Sequence, residues 1–135
     1  MRVDWAILCR YAEASGGEAT LVGAGLDTFF AADFPVEVLV ILAVRLVGSR
    51  DEMVGAHDLA FRVHVPSMTV SEGLSGTFQL EPPPLAPPGW EIGAIFVTAQ
   101  RVEATEEGPY GLEMLIDGET KHVFHFFVRQ LPAPE

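Results

Sequence analysis

The sequence predicts an all-β protein, a single-domain antiparallel β-sandwich of about eight strands that ends in a β-hairpin. Apolar residues alternate with polar ones at a period of two in most segments, and Gly- or Pro-containing breaks separate these runs at short intervals. No segment carries apolar residues at helical spacing over three turns, which removes the helical fold classes. A closed β-barrel is the alternative arrangement of the same strands.

In chain order, Val3 to Ala12 alternates Val3, Trp5, Ile7, Cys9 and Tyr11 against Asp4, Leu8 and Arg10, a strand with the first set toward the core. Ser15-Gly16-Gly17 turns the chain into a second strand, Glu18 to Phe30, in which Gly23 and Gly25 mark a bulge or the close approach of another backbone. Phe34-Pro35 ends that run, because proline fixes its own φ and drives the residue before it into extended backbone. Val36 to Val47 is apolar on both faces through Val38, Leu39, Val40, Ile41 and Leu42, as a central strand or one covered by a partner would be. Ser49 to His57 is charged and reads as a loop. Leu59 to Val65 points Leu59, Phe61, Val63 and Val65 inward and Arg62 and His64 outward, and Pro66 ends it. Ser67 to Gly76 is small and polar, an exposed connection into a short strand, Thr77 to Leu80. The five prolines between Glu81 and Gly89 exclude a ladder or a helix and predict a stiff polyproline-like crossover. Ile92 to Val102 is a further strand, and Glu106-Glu107-Gly108-Pro109 turns it into the hairpin. Leu131 to Glu135 reads as a frayed tail.

The hairpin is the strongest signal. Tyr110, Leu112, Met114 and Ile116 share one side of its first arm, and Phe124, Phe126 and Val128 share one side of its second. With Asp117-Gly118-Glu119-Thr120 as the turn and Asp117 facing Lys121, Met114 faces Phe124 and Leu112 faces Phe126, so one face is wholly apolar. On the other face Glu113 meets His125, and the Phe127 ring covers bare Gly111.

Trp5-Ala6-Ile7-Leu8-Cys9 ahead of Gly16-Gly17, then Leu21-Val22-Gly23-Ala24-Gly25, Phe34-Pro35, and Gly108-Pro109-Tyr110 leading to Ile116-Asp117-Gly118, form a whole-chain pattern. It resembles an uncharacterised family of short bacterial all-β proteins. The matching positions are turns and core residues, so the resemblance implies a fold and carries no activity, substrate, cofactor or catalytic residue.

At 135 residues, 49% of them hydrophobic and 20% charged, the chain is long enough for one real core and too apolar for disorder. Eight Lys+Arg against 19 Asp+Glu give a formal net charge of −11, which opposes nucleic-acid phosphates and anionic membrane surfaces, so neither is an expected partner. The single cysteine, Cys9, excludes an internal disulfide and fits a reducing, cytoplasmic setting. The N-terminal stretch lacks a cleavage signal, and the apolar run from Val36 meets Arg45 too early to span a bilayer.

The chemical motifs are weak. Gly23-Ala24-Gly25 continues into Thr28, Phe29 and Phe30 and not into a helix, so a bulge explains it better than a dinucleotide site. Among His57, His64, His122 and His125 no pair has metal-site spacing, although His64, His125 and Glu113 all point outward and meet if their strands are neighbours. No spaced motif selects a Ser-His-Asp triad, so no catalytic residue, cofactor or metal is assigned. Pro84-Leu85-Ala86-Pro87 has polyproline-ligand spacing but no flanking basic residue, which favours a rigid connector.

The function expected from these residues is a small interaction module that self-associates, or binds another protein, through an outer sheet face. Apolar residues stand where alternation demands polar ones: Leu115, Val123 and Phe127 on the hairpin, Leu39 and Ile41 on the third strand. Leu39 and Ile41 join the hairpin patch if strand order puts them in its sheet; in the opposite sheet the patch shrinks and a monomer is the alternative. The competing readings are a hydrolase or metal-dependent enzyme with its residues on loops, and a small-ligand binder between the sheets. A polar pocket of convergent titratable groups would favour the enzyme, and an apolar patch the module.

Overall fold

The computed structural model describes residues 1–80 and 87–132. Along the chain lie β1 (Arg2–Cys9), β2 (Tyr11–Ser15), β3 (Glu18–Val22), β4 (Thr28–Ala31), β5 (Val36–Gly48), a helical turn α1 (Arg50–Met53), β6 (Gly55–His64), β7 (Val70–Leu80), β8 (Ile92–Ala104), β9 (Gly108–Ile116) and β10 (Glu119–Gln130). They form a three-stranded sheet β1-β5-β8, a five-stranded sheet β4-β10-β9-β6-β7 and a two-stranded ribbon β2-β3. The two larger sheets enclose the core as a β-sandwich. Among the described residues all strand pairs are antiparallel except β4 on β10.

β5 is the central strand that its two apolar faces predict, and Val40, Leu42, Val44 and Leu46 are fully buried in the core. The five-stranded sheet contributes Phe61, Tyr110, Leu112, Met114, Ile116, Phe124, Phe126 and Val128. The Phe126 ring stacks on Tyr110 at 5.6 Å and meets Phe29 edge-on at 5.5 Å.

The hairpin forms with its apolar face inward, but its register differs by two residues from the expected one. Leu112 faces Phe124, Tyr110 faces Phe126, Glu113 faces Val123, and Gly111 faces His125. The turn is the tight Asp117-Gly118 pair, both at positive φ (53° and 79°), which suits the twist of a hairpin, and a bulge follows between Thr120 and His122. A shift of two keeps every side chain on its face, so burial is as expected while cross-strand partners are not.

Elsewhere the boundaries differ for identifiable reasons. A bulge at Asp4 between Val3 and Trp5 reverses the faces of β1: Val3, Ala6 and Leu8 pack on the core, whereas Trp5, Ile7 and Cys9 face outward. The expected second strand is two strands, because Gly23 and Gly25 (φ 65° and 87°) turn the chain instead of bulging it. The expected loop after Ser49 holds α1, whose capping box joins the Ser49 hydroxyl to the Glu52 N–H and the Glu52 carboxylate to the Ser49 N–H. Most of the expected connection from Ser67 to Gly76 belongs to β7, an edge strand whose expected end packs Phe78 and Leu80 on the core, while its first part is held by backbone pairing to β6 and carries no apolar alternation to announce it. Of the expected crossover, residues 81–86 lie outside the described residues, as do 133–135 of the tail.

Candidate functional site

The register of the three-stranded sheet places a band of apolar side chains on its outer side. Trp5, Ile7 and Cys9 on β1 face outward beside Arg45, Ala43 and Ile41 of β5, and Ala43 and Ile41 are opposite Val97 and Ala99 of β8. None of these belongs to the core cluster between the sheets, although Cys9 and Ala43 are fully buried on this side, so the Cys9 thiol is the buried one expected. Ion pairs bound the band: Asp4 with Arg45 at 2.6 Å, and Glu37 with Arg101 at 2.8 Å. The Arg45 guanidinium lies over Gly93, where any Cβ would collide with it.

At the lower corner this band meets the five-stranded sheet. A groove of about 280 Å³ opens there, lined among others by Cys9, Arg10, Leu26, Phe30, Leu39 and Ile41. Phe30 comes from β4, which pairs with β10 so that Thr28 is opposite Phe127 and Phe30 opposite Arg129; Phe30 and Phe127 therefore share the outer face of that sheet. Phe30, Leu39 and Phe127 are 62%, 49% and 49% exposed, large values for big apolar side chains in a chain with a well-filled core.

Leu39 and Ile41 thus lie in a different sheet from Leu115, Val123 and Phe127, and the five do not form the single patch expected on the hairpin. β4 links Leu39 and Ile41 to Phe127 through Phe30. Leu115 is buried beside Ala60 and Thr120, and Val123 is half-buried near β6, so these two stand apart from the seam.

The other expected cluster comes together only in part, because β9 lies between the strands of His64 and His125. His64, Gly111 and His125 are cross-strand partners on β6, β9 and β10, so two imidazoles flank a glycine. His64 Nε2 lies 2.9 Å from Glu113, which also accepts from the Thr120 hydroxyl, and these two bonds hold the Glu113 carboxyl below its usual pKa. The groove above them, about 480 Å³, is walled mainly by Val65, Pro66, Met68, Pro109 and Val123. It offers one oriented histidine and no activated nucleophile: the Ser67 and Thr69 hydroxyls at its turn lie 3.3 Å apart and bond each other. Among the described residues no three His, Cys, Asp or Glu side chains converge as a metal site.

His57 is a buried polar residue whose role sequence reasoning missed. Its Nδ1 lies 2.7 Å from Asp117 Oδ2 and its Nε2 2.7 Å from the Met53 carbonyl, and the ring stacks on Phe78. Asp117 holds the other side too, accepting from the Asp58 N–H at 2.9 Å. The bond to Asp117, with help from the Met53 carbonyl, raises the His57 pKa against the opposing effect of burial, and the Asp117 carboxyl is lowered in return.

A family model matches residues 4–129, nearly the whole chain. The chain belongs to DUF6941, a family of unknown function. No curated protein matches it. Among solved structures, Pseudomonas fluorescens alkylpurine DNA glycosylase AlkC, bound to DNA containing an abasic site analog, is similar over 76% of this chain and 28% of the other, at 13% identity and a TM-score of 0.38. The chain therefore spans under a third of that protein, and a likeness this slight carries no argument. The DUF6941 assignment agrees with the resemblance carried by the turn and core positions, and it brings no functional residue with it.

What sequence reasoning missed in this DUF6941 chain was Phe30. It stands at the end of a run read as one strand through two glycines, so alternation placed it in no sheet. Two positions with the left-handed preference of glycine so close together were the available signal of a turn.

Proposed function

We propose that this protein is a cytoplasmic docking module that associates with a second copy of itself through the apolar seam of Phe30, Leu39, Ile41 and Phe127. The observation that carries the reading is the exposure of two large apolar side chains, Phe30 and Leu39, around one groove where the two sheets meet, with exposed Phe127 beside it on the face that Phe30 shares, since apolar patches of this kind mark interaction surfaces in proteins that otherwise bury their hydrophobes. Arg10 at the groove and Arg129 opposite Phe30 flank it, so the rim is not dominated by the carboxylates that give the chain its net charge. The His64–Glu113 groove supports the enzyme reading less well, for it lacks a nucleophile beside the oriented histidine.

Light scattering over a concentration series tests this. The wild type is expected to reach twice the monomer mass below about 100 μM, the weakest affinity (about −5.5 kcal/mol) that would give a stable assembly. Phe30→Glu, at an exposed position, is expected to stay folded and monomeric. A wild type that remains monomeric at about 100 μM contradicts self-association, and a Phe30→Glu variant that dimerises like the wild type moves the interface off the seam.

A further inference from the structure

Both ring nitrogens of His57 face acceptors: a carboxylate oxygen at Nδ1 and a backbone carbonyl at Nε2, each at 2.7 Å. A neutral imidazole has one N–H and one lone pair, so it satisfies only one of them and sets its lone pair against the other. Only the imidazolium satisfies both. The ring is 7% exposed, which leaves little room for water to take over either bond.

We propose that His57 is a proton-operated latch, which in its imidazolium form ties the α1 turn to the hairpin turn and on losing one proton releases the α1 turn. The groups involved come from four elements. Asp117 from the turn between β9 and β10 and Asp58 from β6 both favour the charged ring, and Lys121 on β10 acts on it through Asp117. From β7 the Phe78 ring stacks on it. From α1 the Met53 carbonyl faces it, while Glu52 is turned away, bound to Ser49 and the N-terminal amine.

The order of release follows from acceptor strength. The remaining N–H stays with the Asp117 carboxylate, a charge-assisted partner, and the Nε2 lone pair then opposes the Met53 carbonyl. That carbonyl is in the last turn of α1, and the Met53 side chain is fully buried, so release loosens the residue that closes this end of the core. Because the folded-state pKa of His57 is raised, the latch contributes its full stability below the unfolded value of about 6.5 and loses it as pH rises through the folded value. Asp117, whose pKa is lowered, sets the acid limit, where its share is lost as pH falls through its folded value. His122 is lowered by burial and by its neighbour His125, so it titrates below the same reference.

Nitrogen-15 NMR of the ring, with amide exchange of Met53 and Val54, tests the latch in the intact chain. These two N–H groups bond the Ser49 and Arg50 carbonyls and report α1 directly. The expected result is two protonated ring nitrogens at pH 6, and protection factors at Met53 and Val54 that fall at least tenfold across the His57 titration while those of β5 hold. Asp117→Asn keeps a residue that tolerates the positive φ of the turn, and should lower the His57 midpoint by roughly one pH unit, tenfold in proton affinity. His57 with a single ring N–H at pH 6, protection at α1 that is flat from pH 6 to 9, or an unmoved midpoint in Asp117→Asn would each overturn the proposal.

Discussion

Phe126→Ala is expected to cost about 3–5 kcal/mol of unfolding free energy in denaturant melts. The side chain is 1% exposed, stacked on Tyr110 and packed edge-on against Phe29, so truncation removes buried ring area and leaves a cavity between two aromatic neighbours that cannot both collapse into it. The adjacent Phe127 supplies the internal control. Half-exposed on the opposite face of the same strand, it should lose under about 1 kcal/mol on the same change. A loss below about 1 kcal/mol at Phe126, or equal losses at both positions, would mean that the hairpin faces are assigned the wrong way round.

A second large contrast is expected on β5. Leu42→Asp places a carboxylate at a position with no exposure, in the middle of the central strand and against the opposite sheet, and should leave no folded protein at neutral pH. Ile41→Asp, one residue earlier, points to the outer side and lines an open groove, where water reaches the carboxylate. It should cost less than about 2 kcal/mol and retain a cooperative melt. Circular dichroism and thermal melts of the two variants read this directly, and an unfolded Ile41→Asp would show that the outer band is a second core.

These contrasts also show what was legible in the sequence. The inward residues of β6, β9 and β10 were readable because strict alternation leaves one answer about faces, and a two-residue error of register does not disturb it, whereas β5, apolar on both faces, announced only that it was central. The bulge at Asp4 had no such protection: one extra residue exchanged the sides of Trp5, Ile7 and Cys9, and a polar residue within an alternating run looks the same whether it is paired or bulged. The first part of β7, Val70 to Gly76, was hidden for another reason. Its exposed Val70 and Leu74 and its polar neighbours carry no period, since backbone pairing with β6 and not burial makes it a strand. The capping box was present in the order Ser49, Arg50, Asp51, Glu52, yet a single turn is too short for the apolar periodicity that announces helices.

Site legibility followed the same division. The outward position of His64, Glu113 and His125 was correct, but His64 and His125 could meet only on neighbouring strands, and β9 separates β6 from β10, so His64 meets Glu113 alone. The seam depended on β4 pairing in parallel with β10 and reaching across to β5, a long-range choice that no local pattern encodes. His57 lay in a segment read as loop, and its partners are a carbonyl four residues earlier and a carboxylate sixty residues later.

The claim that the seam is an interface is tested most directly by photo-crosslinking in living cells, with a photoreactive residue in place of Leu39 and, as the comparison, in place of Arg62 on the outer face of β6. The account predicts an adduct at twice the chain mass from the Leu39 probe and none from the Arg62 probe. Crosslinking from Arg62 with none from Leu39 would contradict it, and a Leu39 adduct of another mass would keep the seam as the docking surface while replacing the second copy with a different protein.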